Sequence, residues 1–509
     1  MNVSKRILYI STIYNIMQIQ QDSNFKDNNL EDNSWITSSI LQTKKKVLIL
    51  GVDISLVKNH GVLRFESFCR KYDLEYGMIG QGIEWKGGNL SNSSGGGQKI
   101  LELRKTLKQM TENRLIFYGD SYDQIPLASD DEIYDKYMKI TEGSDMIVFS
   151  TDYYCWPDFS LKSKFPKVAT KYKYLCSGAI MGYRDTIYNL ICETDIKNDE
   201  DDQEYFSRKF IEKRDNLMLD YNCELFQAAH DVEQDLILHR NRVYNHYTKS
   251  YPSFMHGNGD SKKLLNRLEN YLETDLYKNY TFTPLTNNEV SDDLVAHTGF
   301  PQIFIAIYVD NVYNSKNFKT FYTGFEKIKY KNTIVAIYDC KKNHIMEKFA
   351  IKHGYIYRSD ASSYYYQDFI DSKCEYYFLL EQTCVITNPG IINELLYHSN
   401  NTHQIISPVM KSHSNDSFAN CWGDIEANGY YKRSDDYFDI IHQKKIGHWN
   451  VPYISGCIFM KRNIITDWDL LTKNKHTGED REMELAFNFR KNTLFMYAIN
   501  FSIYGYLNL

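Results

Sequence analysis

The chain has 509 residues, 43% of them apolar, a length that points to two or three domains rather than one. With 59 basic and 65 acidic residues the formal net charge is −6, so no global basic surface argues for a nucleic-acid partner. No run of about 20 apolar residues occurs, so no membrane-spanning helix is expected, and the ten cysteines, without CxxC or zinc-finger spacing, read as free buried thiols, with pairing among Cys155, Cys176, Cys192 and Cys223 as the alternative.

Near its start the chain reads KRILYISTIYNIMQIQQ, a basic pair before a short semi-apolar run interrupted by Ser11, Thr12, Tyr14 and Asn15. No clear small-residue cleavage site follows, so residues 1–45 read as a weakly ordered leader. Val47–Val52, within KKKVLILGVD, reads as a fully buried strand. A loop with Gly61, a helix over VLRFESFCRKY and a strand at EYGMIG follow. A Gly-rich stretch runs to Gly97; then come a helix over about 98–111, the strand LIFYGD, a helix near 130–142 and the strand DMIVFS. This alternation predicts a parallel sheet with helices on both faces. After residue 297 a second cycle starts with the strands QIFIAIYV, NTIVAIYD, YIYRS and CEYYFLLEQTCVITN, and it repeats the build of the first. The chain thus divides into a leader (1–45), a first α/β domain (46–275), a polar joint (276–297) and a second α/β domain (298–509).

Four stretches carry candidate chemistry. LIFYGDSYDQI ends an apolar strand in Asp120 and Asp123, and in an open α/β sheet ligands bind beyond the carboxyl ends of the strands. Two hard oxygen donors there suit Mg²⁺ or Mn²⁺ carrying a diphosphate; a turn or cap pair is the structural alternative. In WKGGNLSNSSGGGQKI, Gly95–Gly97 permit close backbone approach, and the following helix offers its positive end to an anion. Lys99 in that first turn is unfavourable unless an anion compensates it. In NDEDDQEYF, Asp201 or Asp202 either meets a sugar or belongs to a solvated acidic loop. In SFMHGNGDSKK, His256 offers a nitrogen ligand, and Asn258 and Lys262 offer contacts to phosphate or ribose; a structural turn is the alternative.

Taken together, EWKGGNLSNSSGGGQK, DSYD, FSTDYYCWPD, SGAIMGY, the acidic run before QEYF, and HGNG resemble, in wording and order, the N-terminal half of the procollagen lysyl hydroxylase/glycosyltransferase family. The resemblance covers about residues 45–275 and implies a UDP-sugar-dependent GT-A glycosyltransferase domain. It continues through YYFLLEQTCVITN, ISPVMKSHSNDSFANCWG, YYKRSDDYFDII and WNVPYISG, which look like the family's accessory GT-A-like domain. The implied fold is α/β, with two tandem GT-A-like (Rossmann-like) glycosyltransferase domains. Where the family tends to show Asp-x-Asp, this chain has Glu381-Gln382-Thr383, which implies a second domain without an active site of its own. The family's Fe(II)/2-oxoglutarate hydroxylase domain has no counterpart, so lysyl hydroxylation is not expected.

Carried over residue by residue, the resemblance implies that Asp120, Asp123 and His256 bind Mn²⁺, with Mg²⁺ as the alternative. Tyr122 would border the uridine, Leu90 would stand at a nucleotide-contacting position, and Lys99, Asn258 and Lys262 would contact nucleotide or phosphate. Trp85, Asp152, Trp156, Asp201 and Asp202 match the pocket for sugar and acceptor, with Asp152 in place of a family Glu. The implied reaction moves glucose from UDP-glucose to galactosyl-hydroxylysine of collagen-like chains with retention, through same-face attack, and Asp201 or Asp202 would stabilise the sugar cation. Galactosyl transfer from UDP-galactose to hydroxylysine and a non-catalytic collagen-binding role stay open at this point. So do a homodimer and the compartment: the secretory pathway by resemblance, the cytoplasm for a viral or microbial chain.

Overall fold

The computed structural model describes residues 45–509 apart from 57, 89–94, 214, 241, 273–300, 310–314, 360–363, 400–401, 427–429 and 467–480. Residues 1–44 of the leader, the joint and Leu90 therefore lie outside the described residues.

The first domain is built on a six-stranded sheet in the order β2-β1-β3-β6-β5-β7. Its strands are β1 (Val47–Ser55), β2 (Glu75–Gln81), β3 (Leu115–Asp120), β5 (Ile147–Asp152), β6 (Tyr174–Tyr183) and β7 (Leu217–Leu219). The short strands β4 (Gln124–Pro126), β8 (Phe226–Ala228) and β11 (Phe254–His256) form a second sheet, and β9 (Leu236–His239) and β10 (Arg242–Asn245) pair as a hairpin. The period-2 alternation of β1 decides the layers. Val47 and Ile49 pack with Phe65 and Cys69 of helix α1 (His60–Lys71), while Leu50 and Val52 pack with Ile100 and Leu103 of α2 (Gly97–Gln109). Helix α3 (Asp130–Ile140) joins the α1 face, and α4 (Arg184–Cys192) and α5 (Asp202–Glu212) join the α2 face. Helix starts follow their capping residues: Asn59 accepts from the Val62 N–H, Ser129 from that of Glu132, and Asp201 from that of Glu204.

The expectation of a parallel sheet is corrected at one strand. β6 runs antiparallel to both β3 and β5, so the sheet is mixed. Apolar runs buried on both faces show that a strand is central but carry no mark of its direction.

The second domain repeats the theme in an eight-stranded sheet. β12 (Ile303–Val309) lies between β13 (Thr333–Asp339) and β15 (Tyr376–Glu381), all parallel, with β14 (Ile356–Ser359) at the edge. Beyond β15, strand 457–461 runs antiparallel. Phe304, Ala306 and Tyr308 of β12 face one core, and Ile303, Ile305 and Ile307 the other.

Candidate active site

The carboxyl end of β3 delivers Asp120, and the turn into β4 delivers Tyr122 and Asp123. β11 pairs antiparallel with β4, His256 opposite Gln124, and the Gly257 N–H donates to the Asp123 carbonyl at 2.7 Å. This short ladder brings a histidine far along the chain to the turn: His256 Nε2 lies 3.2 Å from Asp123 Oδ1. Ligand atoms of Asp120, Asp123 and His256 all lie within 4.8 Å of one another, the only such group of three or more His, Cys, Asp or Glu among the described residues. Two carboxylates and an imidazole form a donor set suited to a divalent cation such as Mn²⁺.

Two lysines balance the carboxylates. Lys262 Nζ is 2.9 Å from Asp123 Oδ2, and Lys99 Nζ is 3.0 Å from Asp120 Oδ1 and 2.7 Å from Asp202 Oδ2. The electrostatics follow. Burial raises Asp120, against the pull of Lys99. Burial would also raise Asp123, but Lys262 and His256 outweigh it and hold it low. Burial opposes a charged His256, yet the Asp123 carboxylate beside it lifts it to about 10. Lys99 stays charged although buried, because Asp120 and Asp202 flank it.

The glycine run does a different job from the one expected. The Gly97 N–H donates to the Glu200 carbonyl at 2.8 Å and the Gln98 N–H to that of Asn198 at 3.0 Å, so loop carbonyls, not an anion, take the first amides of α2. A Cβ on Gly97 would lie 1.9 Å from the Lys197 carbonyl oxygen; one on Gly96, at φ +102°, would lie 2.6 Å from Asp202 Oδ1. The glycines let the acidic loop press onto the helix start, which puts Asp202 on Lys99 and answers the misplaced cation with protein carboxylates. The two acidic candidates separate here: the Asp201 carboxylate caps α5, while Asp202 points to Lys99.

The remaining candidates ring this centre. Tyr122, half-buried, donates its hydroxyl to Asp53 Oδ1 at 2.9 Å. Asn258 donates to Asp152 Oδ2 at 2.6 Å and accepts from the Ala229 and His230 N–H groups, so these two candidates hold each other. Burial raises Asp152. Trp156 is 59% exposed beside Phe159, and its carbonyl accepts from Gln203 of α5. Trp85 folds over Gly87 and donates to the Gly88 carbonyl at 2.7 Å.

Three residues escaped the sequence reading. Asp53 stands near the carboxyl end of β1, fully buried, and accepts from Tyr122, Ser55 and Gln81; the strand-end rule applied to KKKVLILGVD would have found it. Cys176 Sγ lies 3.8 Å from His256 Nδ1. Gly178 leaves room for the imidazole, since a Cβ there would lie 2.3 Å from His256 Cε1. Nothing in the local sequence pattern marks the last two.

In the second domain Glu381 ends β15 where Asp120 ends β3, but Arg481 answers it, with Nη2 at 2.9 Å from Oε1 and its guanidinium near the rings of Tyr308 and Tyr364.

Residues 43–282 match the family model described as the PLOD GT domain, and residues 366–509 that of the glycosyltransferase family 25 N-terminal domain. The chain is 43% identical over 461 residues to "Uncharacterized protein R699" of Acanthamoeba polyphaga mimivirus, covering 91% of this chain and 98% of that protein. It is 26% identical to human "Multifunctional procollagen lysine hydroxylase and glycosyltransferase LH3" (90% of this chain, 65% of that one). It is 30% identical to the Drosophila melanogaster "Procollagen-lysine,2-oxoglutarate 5-dioxygenase" (88% and 63%). The chain belongs to the procollagen lysyl hydroxylase/glycosyltransferase family. It spans less than two thirds of the length of these two hydroxylase relatives. Both domains match glycosyltransferase family models, and the fold is α/β in two tandem domains. Among the described residues no helix is long and apolar enough to cross a membrane.

Proposed function

We propose that the first domain transfers glucose from UDP-glucose to galactosyl-hydroxylysine in collagen-like chains, with Mn²⁺ or Mg²⁺ held by Asp120, Asp123 and His256. The observation that carries the reading is the convergence of these three ligands at a strand end. The names of the lysyl hydroxylase relatives support procollagen as the acceptor class, and the family resemblance supports the sugars. Bound there, the cation would neutralise charge on the departing diphosphate.

The chain's own side chains do the rest. Lys262, over half exposed, can leave Asp123 and meet a phosphate oxygen. Lys99 stays between Asp120 and Asp202 and fixes both carboxylates. Asp202 stabilises positive charge developing on the sugar, and the acceptor hydroxyl attacks from the face that UDP leaves, giving its proton to the phosphate. Tyr122, held by Asp53, walls the uridine side. Asp152 and Asn258 border the sugar as a linked pair, and exposed Trp156 offers the acceptor an apolar face. Trp85 closes the donor side. The second domain serves as structure, its strand-end carboxylate engaged by Arg481.

Two expectations separate these roles. Asp202→Asn should lower kcat by about 10²-fold or more, whereas Asp201→Ala should cost about 1 kcal/mol of stability through the lost cap and keep most of the turnover. Equal kcat losses would overturn the division between them. Gly178→Ala should drive a methyl group into His256 and weaken Mn²⁺ binding about 10- to 100-fold without unfolding the protein. Mn²⁺ titration followed by electron paramagnetic resonance reads this directly, and an unchanged affinity would remove His256 from the ligand set.

A further inference from the structure

Two helices lead from the site to the second domain. One is α6 (Lys262–Leu272), which opens with the Lys262 that sits on Asp123. About two turns later it presents Glu269 and Asn270. The other is α1, whose start abuts the metal-site turn so closely that a Cβ on Gly61 would lie 2.1 Å from the Tyr122 carbonyl oxygen. One turn on from His60, α1 presents Arg64.

The second domain meets these helices at the same residues. Arg64 and Glu269 are each 1% exposed and pair at 2.9 Å. The Glu269 carboxylate also accepts from Asn450 Nδ2 and from the Tyr497 hydroxyl, each at 3.3 Å and each from the second domain. Asn270 and Asn450 exchange two bonds: the Asn450 N–H donates to Asn270 Oδ1 at 2.7 Å, and Asn270 Nδ2 donates to the Asn450 carbonyl at 3.2 Å. His60 donates its N–H to the Thr493 carbonyl at 3.2 Å, its Nδ1 accepts from the Phe495 N–H at 2.8 Å, and the Arg64 guanidinium lies 4.7 Å from the Phe495 ring. A buried ion pair is costly to keep unless its remaining hydrogen-bonding capacity is met. Here the second domain meets part of it, through Asn450 and Tyr497, and so helps to hold α1 and α6 in place.

We infer that the second domain positions the metal–nucleotide site: by completing the buried Arg64–Glu269–Asn270 network through Asn450 and Tyr497, it sets α6 and α1 and so seats Lys262 and the Tyr122–Asp123 turn. Asn450 and Tyr497 are thus positioning residues. This role rests on the reading of Asp120, Asp123 and His256 as a metal site for UDP-sugar.

The test uses the full chain. Asn450→Ala should raise the UDP dissociation constant in the presence of Mn²⁺ roughly 3- to 30-fold and speed amide hydrogen exchange over residues 256–264. Tyr497→Phe, which removes a single hydroxyl, should act in the same direction with a smaller effect and keeps the test alive should the first variant fold poorly. In a Lys262→Ala background each change should weaken UDP binding less than it does in the wild-type chain, because part of the effect runs through Lys262. Normal exchange at 256–264 with unchanged UDP affinity, or the same loss in both backgrounds, would overturn the inference. A wild-type protein that binds no UDP with Mn²⁺ would instead overturn the site reading, while exchange at 256–264 would still report on the coupling between domains.

Discussion

Asp120→Ala is expected to abolish sugar transfer, lowering kcat at least about 10³-fold, and to weaken UDP binding only when Mn²⁺ is present. Asp120 is one of the two carboxylates of the ligand cluster and the partner of Lys99. Its loss should spare the fold, because Lys99 keeps Asp202 at 2.7 Å and β3 keeps its apolar run. The contrast between UDP affinities with and without Mn²⁺ matters more than the lost turnover, since it assigns the loss to the cation. Unchanged turnover in this variant would remove the metal assignment.

Acidification should destabilise the junction of the two domains and the second domain beside it. His60 and His398 are buried, and burial lowers each from the usual 6.5 to about 4. Burial likewise takes His448 well below its usual value. The rings pack together: His403 stacks on His448 at 4.2 Å, His398 on Phe501 at 4.1 Å, and His403 also lowers His60. The folded state keeps His60, His398 and His448 neutral, while the unfolded chain takes up protons there below about pH 6.5. Their stabilisation is therefore fully present above that pH and is lost as pH falls from about 6.5 towards 4. Each of His60 and His398 contributes up to about 3 kcal/mol to the loss. Asp220, pushed up to about 6 by burial, works in the opposite direction and offsets a part. Tm should thus fall steeply between about pH 6.5 and about pH 4.5, and His398→Phe should flatten that fall. A Tm that holds constant over this range would contradict the account.

Much of this architecture is legible in the sequence, for reasons that differ from element to element. β3 and its two aspartates stand out because a run buried on both faces ends abruptly in charge, and burial forces such a transition to the end of a strand. The role of His256 cannot be read locally. It depends on a pairing between two three-residue strands, β4 and β11, whose register no hydrophobic period announces; the local stretch offers only a candidate nitrogen ligand, and the family resemblance joins it to the two aspartates. The direction of β6 is hidden for a similar reason: a strand buried on both faces looks the same either way. The glycine run before α2 does signal a close approach, but the approaching group is the acidic loop at 197–202. In the second domain, Glu381-Gln382-Thr383 suggests a lapsed metal site, yet the cation that answers Glu381 comes from Arg481, which no spacing rule connects to it.

The most direct test of the central claim is UDP release with Mn²⁺, comparing UDP-glucose with UDP-galactose on a collagen peptide carrying galactosyl-hydroxylysine and on one carrying bare hydroxylysine. Turnover with UDP-glucose on the galactosylated peptide alone is the predicted result. Turnover with UDP-galactose on bare hydroxylysine, or none with either donor, would contradict it.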